Sequence, residues 1–180
     1  MRAFIAINFD KCIKKILYNH SKKILTHNFK CFRQIKQKNI HMTIHFLGDI
    51  SNDTNAIENK MERILSSYYQ FIIKINNWNC FDTRKGKIVW LKVNNSEKLN
   101  ILANKIRVNF SDIKEDKKSF LPHVTIARDA KYIDGISSKE IVDLNLKVVV
   151  KEISLMRSVF DSNGVHYSEI YNKALLKKDF

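Results

Sequence analysis

Hydrophobic and polar positions alternate along this chain with two different periods. Period-two alternation, rich in β-branched and aromatic residues, predicts strands at about 3–7, 40–47, 71–76, 87–93, 123–128, 146–157 and 166–176. Apolar residues at helical spacing predict helices at about 10–29, 53–68, 96–110 and 138–143, and Asp10 and Ser96 are suitable N-caps. These elements follow one another in two similar halves, which predicts an α+β fold.

One short pattern occurs twice, nearly half the chain apart, and each copy lies in a predicted strand. The copies are His41-Met42-Thr43-Ile44 and His123-Val124-Thr125-Ile126. Because strand side chains alternate between two faces, the histidine and the threonine of each copy share one face. The repetition suggests a half-domain used twice, each half presenting an imidazole and a hydroxyl. Two imidazoles that face one cleft can serve as an acid and a base.

Two alternatives stay open for these histidines. A single histidine in a strand is more often structural than catalytic, although the presence of two copies favours function. His41 and His45 also form an H-x3-H pair, which on a helix would present two zinc ligands. In a strand their side chains start about 13 Å apart, and neither motif has a carboxylate ligand nearby, so strand geometry disfavours a metal site.

Composition adds an electrostatic argument. The chain has 32 Lys and Arg residues against 18 Asp and Glu, and its net charge of +14 suits a polyanion such as RNA. Lysine far outnumbers arginine, and asparagine and isoleucine are also abundant, so compositional drift explains the charge about equally well.

The expected setting of the protein follows from its length and cysteines. With 180 residues, 44% of them hydrophobic, the chain can bury a core as a single domain spanning 1–180. Cys12, Cys31 and Cys80 show no paired spacing, so we expect no disulfide framework and a reducing compartment. No stretch approaches the ~20 apolar residues of a membrane span, and the apolar run at 3–7 is too short for a signal-peptide core. We therefore expect a cytoplasmic, soluble protein with no membrane contact, and a monomer.

Further landmarks extend over nearly the whole chain. They are the opening segment 1–7, the runs 39–48 and 120–128 around the two motifs, Phe81, Val89-Trp90-Leu91 and Met156-Arg157-Ser158. Together these segments resemble the 2H phosphoesterase superfamily, and within it the RNA 2′,3′-cyclic phosphodiesterases, often called 2′-5′ RNA ligases. The resemblance implies a two-lobed fold with pseudo-twofold symmetry, in which antiparallel sheets line a central cleft and the helices lie outside. It also implies RNA with 2′,3′-cyclic phosphate ends, or related nucleotides, as substrates, without a metal ion or cofactor.

By this resemblance, His41 protonates the departing 3′ oxygen and His123 activates water, which leaves a 2′-phosphate. The residues alone do not distinguish the two histidines, and exchanged roles would permit 2′-5′ ligation as a side activity. Thr43 and Thr125 are expected to donate hydrogen bonds to non-bridging phosphoryl oxygens, with strand packing as their alternative role. The resemblance assigns phosphate binding to Arg128, whose guanidinium suits two phosphoryl oxygens.

Three positions carry specific expectations. Strict alternation puts Arg128 on the face opposite His123, so either the strand ends or a bulge turns this arginine toward the cleft. His45 is expected on the motif face, binding substrate or lining the cleft wall. Phe81 is expected to stack on an RNA base, with burial in the core as the alternative. The competing hypothesis for the whole chain is an RNA- or nucleotide-binding module whose motifs grip phosphate without turnover.

Overall fold

The computed structural model describes residues 1–94, 96–113, 119–134, 144–162 and 164–178, and within them the chain forms three α-helices and nine strands. The helices are α1 (Lys11–Asn28), α2 (Asn55–Leu65) and α3 (Glu97–Asn109), and a 3₁₀ turn spans Gln37–Asn39. The strands are β1 (Arg2–Ile7), β2 (Phe29–Gln34), β3 (Met42–Asp49), β4 (Phe71–Thr83), β5 (Gly86–Val93), β6 (His123–Tyr132), β7 (Leu146–Val150), β8 (Glu152–Asp161) and β9 (Gly164–Ala174). The α+β class is confirmed. The helix predicted near 138–143 lies outside the described residues.

The strands form two antiparallel sheets, and the four strands of one correspond to four of the five strands of the other. Sheet A has the order β3-β1-β8-β9, and sheet B has the order β2-β6-β5-β4-β7. The first motif lies at the start of β3, which pairs with β1, and the second lies in β6, which pairs with β5. If the additional edge strand β2 is left aside, β3-β1-β8-β9 matches β6-β5-β4-β7. The predicted two-lobed, pseudo-twofold arrangement is therefore confirmed.

The two lobes do not coincide with the two halves of the chain. Sheet A combines β1 and β3 with the C-terminal strands β8 and β9, whereas β4 and β5 of the first half belong to sheet B. The half-domain that the repeat suggests is therefore not a whole half of the chain. What repeats is a smaller unit, a strand and a helix followed by the motif strand, as in β1-α1-β3 and β5-α3-β6.

The helices tie the two sheets together. α1 follows a strand of sheet A but packs against β2 and β6 of sheet B, and α3 follows a strand of sheet B but packs against β3 of sheet A. Asp10 caps α1 by accepting a hydrogen bond from the Ile13 amide, and Ser96 caps α3 through the Leu99 amide. Both caps were predicted. The apolar sides of the helices meet one face of each sheet in a shared main core.

Three elements differ most from the sequence prediction. The run predicted as one strand at 146–157 divides at Lys151 into β7 and β8, which enter different sheets. The buried positions reveal the break. Even-numbered residues such as Val148 and Val150 are buried in the main core before it, and odd-numbered residues such as Ile153 and Leu155 are buried there after it. Strand β2 is absent from the prediction because it is a short edge strand with shifted register. Strand β4 continues seven residues past the predicted end because pairing with β5 extends it.

No helix in the described part of the chain is both long and apolar enough to cross a membrane.

Candidate active site

A β-bulge follows the threonine of the first motif. Thr43 pairs with Ala6 and His45 pairs with Ile5, although Ala6 and Ile5 are adjacent, so Ile44 is an extra residue in β3. Directly paired residues point to the same face of a sheet. Thr43 and Ala6 therefore share the face opposite the main core, which we call the cleft face. His45 shares the core face with Ile5.

The second motif has a bulge at the same position. Thr125 pairs with Trp90 and Ala127 pairs with the adjacent Val89, which makes Ile126 the extra residue in β6. Ala127 and Val89 are fully buried in the main core, so this part of the ladder repeats the geometry of β3. The isoleucine of each His-x-Thr-Ile copy is thus a bulge residue.

The paired bulges decide which predicted site residues reach the cleft face. Arg128 follows Ala127 and lies on the cleft face, where it pairs with Arg33 of β2. Of the two geometries considered for Arg128, the bulge is the one observed. His45 is 1% exposed on the core face, so the expectation that it shares the motif face is wrong. The position equivalent to Arg128 in β3 is Phe46, which pairs with Phe4.

Both motif histidines are held by the same backbone hydrogen bond. Nδ1 of His41 lies 2.7 Å from the carbonyl oxygen of Asn39, and Nδ1 of His123 lies 2.7 Å from that of Leu121. A carbonyl oxygen only accepts, so Nδ1 carries the proton in each ring and Nε2 is an acceptor when the ring is neutral. The hydroxyl of Thr43 lies 3.1 Å from Nε2 of His41, close enough to donate to it.

Aromatic rings surround His41. The ring of Phe4 lies 4.8 Å from the imidazole between centroids, and the ring of Tyr167 lies 4.9 Å away and meets it edge-on at 82°. Phe4 and Tyr167 also contact each other at 5.2 Å. These contacts leave His41 little room to rotate and remove most of its solvent.

Two different aromatic residues flank His123. Trp90 of β5 and Phe81 of β4 each lie 5.7 Å from the imidazole, and the two rings stack on each other at 5.0 Å. Phe81 is 37% exposed, so it is not a core residue, and the alternative of burial does not apply. Its exposed ring beside His123 is available for a nucleobase, and base stacking stays a prediction.

The surroundings lower the pKa of both histidines. Burial lowers the pKa of His41 most, the hydrogen bond to Asn39 opposes this effect, and the positive charges of Lys14, His123 and Arg128 add to it, so that the pKa falls from its ordinary 6.5 to about 4. Burial likewise lowers the pKa of His123, and Arg128 adds to the effect. Arg128 therefore acts on both imidazoles, which indicates that the two motifs face one common space.

A polar network adjoins the His41 side of the cleft. The ammonium of Lys14 donates to the side-chain oxygen of Asn8 at 2.7 Å and to the carbonyl of Lys38 at 2.9 Å. Asn8 donates in turn to Glu169, which also accepts from the buried Ser154 hydroxyl at 2.7 Å. Burial lowers the pKa of Lys14 and the charge of Glu169 opposes this effect. The network thus holds a cation beside His41.

The backbone after Arg128 is braced on both sides. Asp129 adopts a left-handed conformation with φ 55°, and its carboxylate accepts two hydrogen bonds from Arg33, at 2.9 and 3.1 Å. On the other side Gly86 approaches so closely that a Cβ there would lie 2.9 Å from the carbonyl oxygen of Ala130. These contacts fix the direction in which the side chain of Arg128 extends from β6.

Sequence reasoning missed several residues of this site. Tyr167 and Lys14 are brought to His41 only by the tertiary fold, and no local pattern marks them. Phe4 and Asn39 lie in segments quoted for the family resemblance, but their contacts with His41 depend on the sheet geometry. Within the described residues, no group of three or more His, Cys, Asp or Glu side chains is arranged to hold a metal ion.

Comparison with known proteins gives one family and several similar folds. The family model described as the 2′-5′ RNA ligase superfamily matches residues 22–160. An RNA 2′,3′-cyclic phosphodiesterase from Aquifex aeolicus is 29% identical over 183 residues, which covers 94% of this chain and 95% of that protein.

Solved structures share the fold. The protein TT0787 of Thermus thermophilus superposes with a TM-score of 0.81 at 19% identity, covering 99% of this chain and 100% of its own. A crystal structure of E. coli LigT complexed with 3′-AMP superposes with a TM-score of 0.78 at 24% identity, covering 97% of each chain.

Proposed function

The chain belongs to the 2′-5′ RNA ligase superfamily, and from this membership we propose that it is an RNA 2′,3′-cyclic phosphodiesterase that leaves a 2′-phosphate. The observation that carries the proposal is the matched orientation of two imidazoles. Each has its Nδ1 proton bound to a backbone carbonyl and its Nε2 available to exchange a proton, and both lie within the field of Arg128. This arrangement supports acid and base catalysis from opposite sides of one phosphate.

Hydrolysis then proceeds by in-line attack of water on phosphorus. His123 takes a proton from the attacking water, the bond between phosphorus and the 3′ oxygen breaks, and His41 gives its proton to that oxygen. The product keeps the phosphate on the 2′ oxygen. Thr43, Thr125 and Arg128 hold the non-bridging oxygens, where negative charge accumulates in the transition state.

Because its pKa is lowered, the general acid His41 must become protonated when the substrate binds. Both histidines are neutral at pH 7 in the empty site, since both pKa values lie below 6.5. The cations that lower the pKa of His41 are Lys14 and Arg128, and an anionic phosphate bound between them offsets their charge. Substrate binding therefore raises the pKa of His41 and favours its protonated form.

The competing hypothesis, a module that grips phosphate without turnover, fits this geometry less well. A neutral imidazole with its proton on Nδ1 offers only an acceptor at Nε2, so each histidine must first take up a proton before it can donate to a phosphoryl oxygen. Binding alone would be better served by lysine or arginine at both positions. The same two imidazoles with exchanged roles support 2′-5′ ligation, which we propose only as a side activity.

The test is an assay on an oligonucleotide that ends in a 2′,3′-cyclic phosphate. We expect the mass of one water to be gained and a 2′-phosphate, rather than a 3′-phosphate, to appear in the phosphorus NMR spectrum. A protein purified identically with both His41→Gln and His123→Gln controls for contaminating phosphodiesterases. If the wild type binds the oligonucleotide tightly but does not turn it over, the hypothesis of a binding module is favoured over that of an enzyme.

A further inference from the structure

Asn39 contacts the His41 side of the site in three ways. It ends the 3₁₀ turn before β3 and is 6% exposed. Its backbone carbonyl accepts the Nδ1 proton of His41 at 2.7 Å. Its side-chain Nδ2 donates to the carbonyl of Val165 at 2.8 Å, and its Oδ1 accepts from the amide of Tyr167 at 3.4 Å. Only one orientation of the amide satisfies both backbone groups, so these two bonds also fix the side chain.

The two side-chain bonds join opposite edges of sheet A. β3, which Asn39 precedes, is one edge strand, and β9, which contains Val165 and Tyr167, is the other. The unpaired backbone groups of an edge strand are available for such bonds. Asn39 thus connects the start of the first motif to a strand that β1 and β8 separate from β3, and we call this connection the Asn39 bridge.

The strand that the bridge holds supplies one wall around the imidazole. Tyr167, whose backbone amide bonds to Asn39, places its ring edge-on against His41 at 4.9 Å. Asn39 therefore fixes the protonated nitrogen of His41 through its carbonyl and the aromatic wall beside that ring through its side-chain amide. Lys14 braces the turn by donating to the neighbouring carbonyl of Lys38.

Among the described residues, the second motif has no equivalent of the Asn39 bridge. The residue two positions before His123 is Leu121, whose side chain is apolar and which is 46% exposed. The rings beside His123 belong to β4 and β5, where β5 pairs directly with β6 and β4 pairs with β5 in the ordinary ladder of sheet B. A bridge is needed only where the histidine and its aromatic wall come from strands at opposite edges of a sheet.

We propose that Asn39 is a positioning residue of the reaction, acting through His41 and Tyr167 rather than by touching the substrate. The inference rests on the proposed phosphodiesterase function for its kinetic consequence, but its structural consequence stands separately. Loss of the amide frees β9 near Tyr167, lets water reach the imidazole and lets His41 move relative to the reacting oxygen. Misplacement of a catalytic group by about 1 Å costs on the order of 10² in rate.

The experiment compares Asn39→Ala and Asn39→Asp with Asn28→Ala. Asn39→Asp keeps the shape but replaces the donor to Val165 with an oxygen. Asn28 is a second buried asparagine that donates to a backbone carbonyl, that of Ile24 at 2.9 Å, but it lies at the end of α1 and belongs to neither motif. For each variant kcat and KM are measured on the cyclic-phosphate oligonucleotide below its thermal midpoint, and the pKa of His41 is measured by NMR.

We expect both Asn39 variants to lose tenfold to hundredfold in kcat with KM within about threefold, and the pKa of His41 to rise toward 6.5. Asn28→Ala is expected to lower the thermal midpoint without changing kcat or the pKa of His41. Combining Asn39→Ala with Tyr167→Leu should cost less than the sum of the single effects, because both act on the same ring. If the more stable of the two Asn39 variants keeps wild-type kcat and the wild-type pKa of His41, the proposal is wrong.

The NMR measurement separates this inference from the proposed function. If the wild type does not turn over the cyclic phosphate, the proposed function fails, and the pKa of His41 in the Asn39 and Asn28 variants still decides whether the bridge shapes the site. If the wild type is active and the more stable Asn39 variant keeps both the wild-type kcat and the wild-type pKa of His41, the bridge fails and the function stands.

Discussion

The two His-x-Thr-Ile motifs share one backbone design and differ in what surrounds it. Both place an isoleucine bulge after the threonine, and both hold the imidazole through Nδ1 and a carbonyl two residues upstream. They differ in the residue that the bulge sends to the cleft face, which is Phe46 in one strand and Arg128 in the other. The repeat therefore provides two equivalent imidazoles, while the arginine suited to phosphate belongs to one lobe only.

A second difference concerns burial. His41 is enclosed by Phe4 and Tyr167, and its pKa falls to about 4, whereas His123 lies beside the more exposed Phe81. Equivalent geometry with unequal environment is how a pair of identical side chains is given different roles.

The largest expected effect tests whether the two motif histidines are both required for catalysis. His41→Ala and His123→Ala should each lose on the order of 10²–10⁴ in kcat, because an acid and a base act in one transition state. Binding of a cyclic nucleotide should persist in both, as equilibrium titration would show. A variant of either histidine with near wild-type turnover would mean that only one motif is catalytic. The double variant should lose little more than the worse single one.

The next effect tests the unequal burial of the two histidines through the pH dependence of the free energy of unfolding. His41 has a pKa of about 4 when folded and about 6.5 when unfolded, so between those values the unfolded state binds more protons. Stability therefore falls as the pH drops from 6.5 to 4, by roughly 3 kcal/mol from this residue alone. Urea unfolding at several pH values should show a shallower fall for His41→Gln than for the wild type.

His123→Gln is the matched variant for that measurement. Burial lowers the pKa of His123 as well, so its removal should also flatten the pH dependence, but by less, since its ring is less enclosed. Equal flattening in the two variants would contradict the difference in burial between the motifs.

A smaller effect tests the difference between Arg128 and Phe46. Arg128→Lys should lose about tenfold to hundredfold in kcat/KM, because a point charge replaces two directed hydrogen bonds to the phosphate. Arg33 lies directly opposite in the ladder and binds Asp129. Arg33→Lys is the control, and we expect it to cost less than about threefold, because a lysine at this position keeps a cation opposite Asp129 and an exposed ion pair contributes little. Equal losses in the two variants would indicate that Arg33 also acts through its guanidinium, and wild-type kcat/KM in Arg128→Lys would indicate that Arg128 contributes only positive charge.

The sequence could predict the alternation and the repeat but not the bulges. Period-two patterning located both motif strands and placed each histidine and threonine on one face. The extra residues at Ile44 and Ile126 have no local signature, and they decide that Arg128 reaches the cleft while His45 does not. Whether an isoleucine pairs or bulges depends on the register of the neighbouring strand, which is set by the whole sheet.

Contacts between distant segments were equally beyond local reasoning. Tyr167 reaches His41 only because β9 lies at the far edge of the sheet that begins with β3, and an alternating run gives no information about its distant neighbours. The division of the run at 146–157 appears, by contrast, as a local change in which alternate residues are buried in the main core, between Val150 and Ile153. Local patterns thus specify faces, and the tertiary fold specifies which faces meet.

The smallest expected effect concerns proton uptake with the ligand. A phosphate bound between Lys14 and Arg128 should raise the pKa of His41, so binding should take up protons and tighten as the pH falls toward 5. For one proton the change is at most about tenfold in Kd per pH unit. The measurement uses a 2′,3′-cyclic mononucleotide, whose single charge does not titrate in this range, and the inactive His123→Ala variant, with the pKa of His41 followed by NMR. A Kd independent of pH would mean that His41 stays neutral with ligand bound, and the general acid would then have to be His123.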